Sequence, residues 1–135
     1  MFSAICTVKN LEKILVGFDG SEYSKKALIE AIKIAQKFSA EITIVNVYND
    51  PAGYDLSQRV LEKAKVISED GEVKFQLVSI LSPNTANKII DVAKKDKVDL
   101  IVVGSRGMGA LRAHLIGSVA TKICHNSPVS VLIVR

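Results

Sequence analysis

The chain has 135 residues, of which 48% are apolar and 24% charged, and its formal net charge is +4. A chain of that length and composition makes one globular domain and buries roughly two-thirds of its unfolded surface, which excludes a disordered or fibrous protein. Lys94, Lys95 and Lys97 alternate with Asp91, Asp96 and Asp99 as a solvated face, and no concentrated basic stripe with aromatics marks a nucleic-acid reader.

Residues 1–10 read as an N-terminal extension ahead of the first regular element. Ile14 to Phe18 is a short apolar run halted by Asp19-Gly20-Ser21, which predicts a buried strand. Ser21 or Ser24 can cap the helix that follows, in which Leu28, Ala31, Ile32, Ala35 and Phe38 recur at helical spacing. Ile42 to Tyr48 is a β-branched run broken by Asn49-Asp50-Pro51, a second strand. Asp55 to Ser68 is a second helix, with Leu56, Val60, Leu61, Ala64 and Ile67 on one face and Asp70-Gly71 ending it. Val73, Phe75, Leu77 and Ile80 form a third, less buried strand. Pro83-Asn84-Thr85 opens a third helix with Ala86, Ile89, Ile90 and Ala93 inward. Leu100 to Val103 is a strand buried on both faces, stopping at Gly104. After a glycine-rich segment, Val119 to Cys124 is the last helix, and Val129 to Val134 closes the chain as a fifth strand. Strands alternating with helices specify an α/β protein with a doubly wound parallel sheet in a single domain.

Two cysteines, Cys6 and Cys124, occur without CxxC or Cys/His ligand spacing, so a zinc site has no support and a reduced pair is expected. Met1 to Val8 lacks the basic region of a signal peptide, and no run reaches the roughly 18 apolar residues of a membrane span. The expected location is the cytoplasm, with no membrane partner.

Open α/β sheets bind ligands beyond the carboxyl ends of their strands, where strand order reverses. Two such ends carry unusual residues: Asp19 after the first strand, and Gly104-Ser105-Arg106-Gly107-Met108-Gly109 after the fourth, followed by Gly117-Ser118 at the start of the last helix. Glycines let a backbone approach a phosphate, and a helix start adds N–H donors. There is no GxxxxGK[ST], and Arg112 stands where a dinucleotide fingerprint needs its third glycine. Spacing alone leaves two readings open: glycines that turn a loop, or glycines that cradle a phosphate.

The pattern Gly104-x2-Gly107-x9-Gly117-Ser118 resembles the ATP-binding signature of the universal stress protein family. The likeness runs from Lys13 to Arg135 and includes Val16-Gly17-Phe18-Asp19-Gly20-Ser21, Asp99 to Gly104 and Ser127-Pro128-Val129. It implies an adenine-nucleotide α-hydrolase-like sheet of order 3-2-1-4-5 with helices on both faces. It further implies that Asp19 lies near adenosine and that the backbone of Val47 meets adenine. Gly104 and Gly107 would then form the ribose and phosphate loop, and Gly117, Ser118 and Val119 would supply donors to the terminal phosphates, often with a divalent ion such as Mg²⁺. Arg106 and Arg112 join the site on charge grounds; His114, in the spacer, reads as a surface residue. Thr121 departs from the glutamate that would complete a capping box begun at Ser118.

The resemblance also implies a homodimer through Val129 to Val134, since a bare apolar edge strand is a liability that a twofold copy covers. The expected function is an ATP-binding, nucleotide-responsive stress regulator with unidentified protein partners. No residue is assignable as a base, catalytic lysine or arginine finger, so slow ATP hydrolysis is the most the site would support. The alternative is a dimerisation module of the same fold without nucleotide. A ligase of the related hydrolase group would need a second domain that 135 residues do not supply.

Overall fold

Each β-branched run is too short to bury both of its faces without helices above and below, and that requirement organises the molecule. The computed structural model describes residues 10–107 and 116–135. In chain order it contains β1 (Lys13–Gly17), α1 (Glu22–Phe38), β2 (Glu41–Tyr48), a 3₁₀ turn (Pro51–Gly53), α2 (Tyr54–Asp70), β3 (Phe75–Leu81), α3 (Thr85–Lys95), β4 (Leu100–Gly104), α4 (Ser118–Asn126) and β5 (Ser130–Val134). The five strands form one sheet in the order β3-β2-β1-β4-β5, all pairs parallel, as the family likeness implied.

Register follows from the period-2 alternation of strand side chains. Leu15 sits between Thr43 of β2 and Ile101 of β4, and Val16 between Ile44 and Val102. Ile14, Val16, Ile42, Ile44 and Val102 therefore face one way and pack with Ala27, Leu28 and Ala31 of α1 and Leu61 and Ala64 of α2. Leu15, Val45, Ile101 and Val103 face the other way, against Ala86, Ile89 and Ala93 of α3 and Ala120 and Ile123 of α4. Each buried Val, Leu or Ile contributes about 1.5–3 kcal/mol of transfer free energy, so these two layers dominate the favourable side of folding.

The helix starts are specified locally. Ser21 is the N-cap of α1 and its side chain accepts from the Ser24 amide; Asn84 caps α3 in the same way through Asn87. Two helix-face expectations need correction. Phe38, in the last turn of α1, is 60% exposed, and Leu56 is 63% exposed. The neighbour of Leu56, Ser57, is the residue buried in the first turn of α2. Ser57 has a polar partner inside, so a pattern search for apolar residues passes over it. Two strand bounds also shift. β3 begins at Phe75, after Val73, and β5 begins at Ser130, because Val129 is held in a turn in which its N–H donates to Ser127 Oγ at 3.1 Å.

Candidate functional site

The sheet changes winding direction between β1 and β4, and there the carboxyl ends of the two strands part to leave a crevice. Its volume is about 810 Å³, inside the range of small-molecule sites.

The β1 side is built around Asp19. Phe18 extends the β1–β2 ladder by donating its N–H to Val45 O at 2.9 Å. Gly20 then takes a φ of 84°, a left-handed turn that swings the chain into α1. Asp19 Oδ1 accepts from the Ser21 amide at 2.9 Å, and the Asp19 amide donates to Ser24 Oγ at 3.3 Å. The aspartate is thus held by the first turn of the helix it introduces.

The β4 side is built from three glycines with three different reasons. A Cβ on Gly104 would lie 2.7 Å from the carbonyl carbon of Tyr23, so this glycine lets α1 cross close over the end of β4. A Cβ on Gly107 would lie 2.8 Å from Asp19 Oδ2, so this glycine lets the loop close against the carboxylate. Gly117 is the N-cap of α4, with φ −68° and ψ 164°. Between them, Ser105 donates its N–H to Val134 O at 2.7 Å and is almost wholly buried. Among the described residues, the buried side-chain atoms Ser105 Oγ and Arg106 Nη1 have no hydrogen-bond partner.

Asp19, Val47, Gly104, Arg106, Gly107, Gly117, Ser118 and Val119, all anticipated from sequence, line this one cleft. Two details depart from expectation. Ser118 is not the cap of the last helix: it is the first helical residue, and Gly117 precedes it as the cap. Gly117 also does not offer its amide to the cleft, because that N–H donates to Ser105 O at 2.6 Å. Among the described residues no side chain caps α4, and the first-turn amides, from Ser118 onward, have no intrahelical acceptor in any case. Arg112, His114 and Gly109 lie outside the described residues.

Sequence reasoning missed the opposite wall. Asn49, Thr85, Ile89 and Val103 join Val47 there, with Gly17 at the floor. A Cβ at Gly17 would come within 3.1 Å of Ile89 Cδ1 and 3.2 Å of Val103 Cγ1, so the missing side chain leaves depth between α3 and β4. Only the register could have pointed to it: Gly17 sits where the alternation demands an inward side chain. Among the described residues no group of three or more His, Cys, Asp or Glu side chains converges, and no helix is long and apolar enough to cross a membrane.

Sheet order and the crevice at its reversal define a doubly wound α/β protein with an open crevice at the topological switch point. The comparisons with known proteins narrow that class. The chain belongs to the universal stress protein family, whose model matches residues 10–135. A universal stress protein of Methanocaldococcus jannaschii is 34% identical over 140 residues, covering 92% of this chain and 82% of that one. One from Bacillus subtilis is 32% identical, covering 91% and 98%. A crystal structure of a universal stress protein in complex with cAMP superposes with a TM-score of 0.79 at 26% identity, covering 94% and 98%.

Proposed function

We propose that this protein binds ATP in the crevice between β1 and β4 and acts as a nucleotide-responsive regulator in the stress response, with little or no hydrolysis. The observation that carries the reading is a cluster of unanswered donors at one end of the cleft. Arg106 Nη1 and Ser105 Oγ are buried, without partners among the described residues, beside the first turn of α4, whose cap Gly117 has no side chain. Burying a polar group unpaired costs about 1–3 kcal/mol, more when it is charged, and a polyanion is the ligand that removes that cost. The Ser118 hydroxyl adds a further donor at the cleft surface.

Phosphate contacts alone do not suffice. A helix start contributes about 0.3–1 kcal/mol to an exposed anion, whereas micromolar affinity needs about −8 kcal/mol. The remainder comes from the other end, where Val47, Ile89 and Val103 supply apolar walls for a base. Asp19 stands between the two ends, against Gly107. A carboxylate only accepts hydrogen bonds and has capacity for several donors, so it suits ribose hydroxyls and disfavours a phosphate at that point. Mg²⁺ would be held chiefly by the phosphates themselves, as this ion usually is, since among the described residues the cleft offers it one carboxylate. The relative solved with cAMP supports the adenine preference. The protein works in the cytoplasm as a homodimer joined through β5.

The test is to denature purified protein, identify released nucleotide by mass spectrometry, and titrate the emptied protein with ATP, ADP, AMP and cAMP by calorimetry. Near-stoichiometric ATP or ADP, or micromolar binding of added ATP, is the expected result. A clean preparation that ignores all four nucleotides would leave a dimerisation module and overturn the proposal.

A further inference from the structure

Asn46 is a polar residue in the interior of β2, within a run otherwise made of β-branched residues, and it is buried. Its Nδ2 donates to Phe18 O at 2.8 Å. Its Oδ1 accepts from Ser57 Oγ of α2 at 2.7 Å, and Ser57 Oγ lies 2.6 Å from Ser79 Oγ of β3. The Phe18 carbonyl can only accept, so the amide of Asn46 has one orientation, and Ser57 holds it there. A chain of hydrogen bonds from β3 through α2 to β2 thus ends on that one carbonyl oxygen.

That carbonyl belongs to the peptide unit joining Phe18 to Asp19. The N–H of the same unit is the Asp19 amide, which donates to Ser24 Oγ at 3.3 Å. A peptide unit is planar, so fixing its oxygen from one side and its nitrogen from the other fixes the plane and the Cα of the residue that follows. The following residue is the aspartate that lines the cleft. A buried network of this kind is a costly way to stabilise a core, because apolar residues would fill the same space without polar desolvation. Here its hydrogen bonds end on the peptide that carries Asp19.

We infer that Asn46 is a positioning residue for Asp19, and that with Ser24 it clamps the 18–19 peptide so that the carboxylate is aligned for the nucleotide before binding. The inference rests on the nucleotide reading of the cleft. Pre-alignment matters because a carboxylate that must be ordered on binding gives up part of its interaction free energy to that ordering. Asn46 itself touches no ligand; it acts through Asp19.

Three variants and two readouts test it. Asn46→Ala removes the clamp, Ser57→Ala leaves the donor but releases its anchor, and Ser79→Ala cuts the same network at the end remote from the cleft. ATP affinity is read by calorimetry, and hydrogen exchange at the Asp19 amide is read in the nucleotide-free protein. Asn46→Ala should weaken ATP at least tenfold and speed Asp19 exchange at least tenfold relative to amides in β1. Ser57→Ala, which is more certain to fold, should give about a threefold loss in each, and Ser79→Ala should leave both unchanged at a comparable loss in Tm. Wild-type affinity and exchange in both Asn46→Ala and Ser57→Ala would overturn the inference, as would equal losses in Ser79→Ala, which mark a merely structural role. If instead the wild-type protein binds no nucleotide, the functional reading itself has failed and takes the role of Asn46 with it.

Discussion

Two glycines in the loop after β4 look alike in the sequence and do different work. Gly104 yields to α1: a Cβ there meets the carbonyl carbon of Tyr23 at 2.7 Å and its oxygen at 2.9 Å, backbone atoms with no room to move. Gly104→Ala should therefore cost about 1–3 kcal/mol of stability, the range for overpacking a tight site, and a urea titration would register it as a lower midpoint. Gly107 is exposed, and the obstruction to its Cβ is Asp19 Oδ2 at 2.8 Å, the end of a side chain that can give way. Gly107→Ala should leave stability within about 1 kcal/mol, as surface substitutions do, yet weaken ATP at least tenfold by pushing the carboxylate aside. Measuring both quantities in both variants would decide the matter; the reverse assignment of losses would refute this account. The sequence singled out both positions, through spacing that left a turn and a phosphate cradle open and through the family resemblance. It could not say which neighbour required the gap, because α1 and Asp19 reach the loop through the fold and not through the chain.

At the scale of elements, the start of α4 is where local signals and the structure part company. Gly117-Ser118 reads as a serine cap, since serine is a preferred N-cap residue and glycine a weaker one. In the fold Gly117 is the cap and Ser118 lies inside the helix, because the Gly117 amide is drawn to Ser105 O while Thr121 returns its N–H and hydroxyl to Gly117 O. The consequence is a helix whose N-cap makes no side-chain hydrogen bond and whose first-turn residues, Ser118 to Ala120, line the cleft. Gly117→Ser would supply the missing acceptor. Its effect on stability should be small, since serine exceeds glycine at a cap by only a few tenths of a kcal/mol and its Cβ would sit 3.3 Å from Ser105 O. ATP affinity should fall several-fold because the new hydroxyl competes with phosphate for the same amides. Calorimetry showing unchanged or tighter binding would mean that those amides do not hold the nucleotide. The helices and strands themselves were legible to within a few residues, because their apolar periodicity is strong. Ser57 and Asn46 were not, because a buried polar pair has no periodic signature and is recognised only when both partners are seen together.

For the whole molecule, the parallel sheet could be read from the alternation of strands and helices, whereas its strand order came from family likeness; alternation alone fixes neither order nor edges. The order leaves β3 and β5 at the two edges, and an edge strand with bare backbone donors and acceptors invites pairing. β3 is flanked by an exposed ion pair between Lys74 and Glu41 at 3.4 Å, the kind of charge that discourages pairing. β5 carries no charged side chain from Ser130 to Val134, and Leu132 at its centre is 36% exposed. A twofold axis that pairs β5 with its copy would run close to Leu132, the middle residue of a five-residue strand, so the two copies of that side chain would be near neighbours. Leu132→Lys then places like charges opposite one another, which destabilises a cross-strand pair, while an exposed edge position tolerates lysine in the monomer. Light scattering after size exclusion should report a dimer for the wild type at micromolar concentration and a monomer for Leu132→Lys, which should still melt cooperatively but with a Tm that no longer rises with concentration. A wild type already monomeric at that concentration would remove the β5 dimer. A variant that stayed dimeric would move the interface to another face.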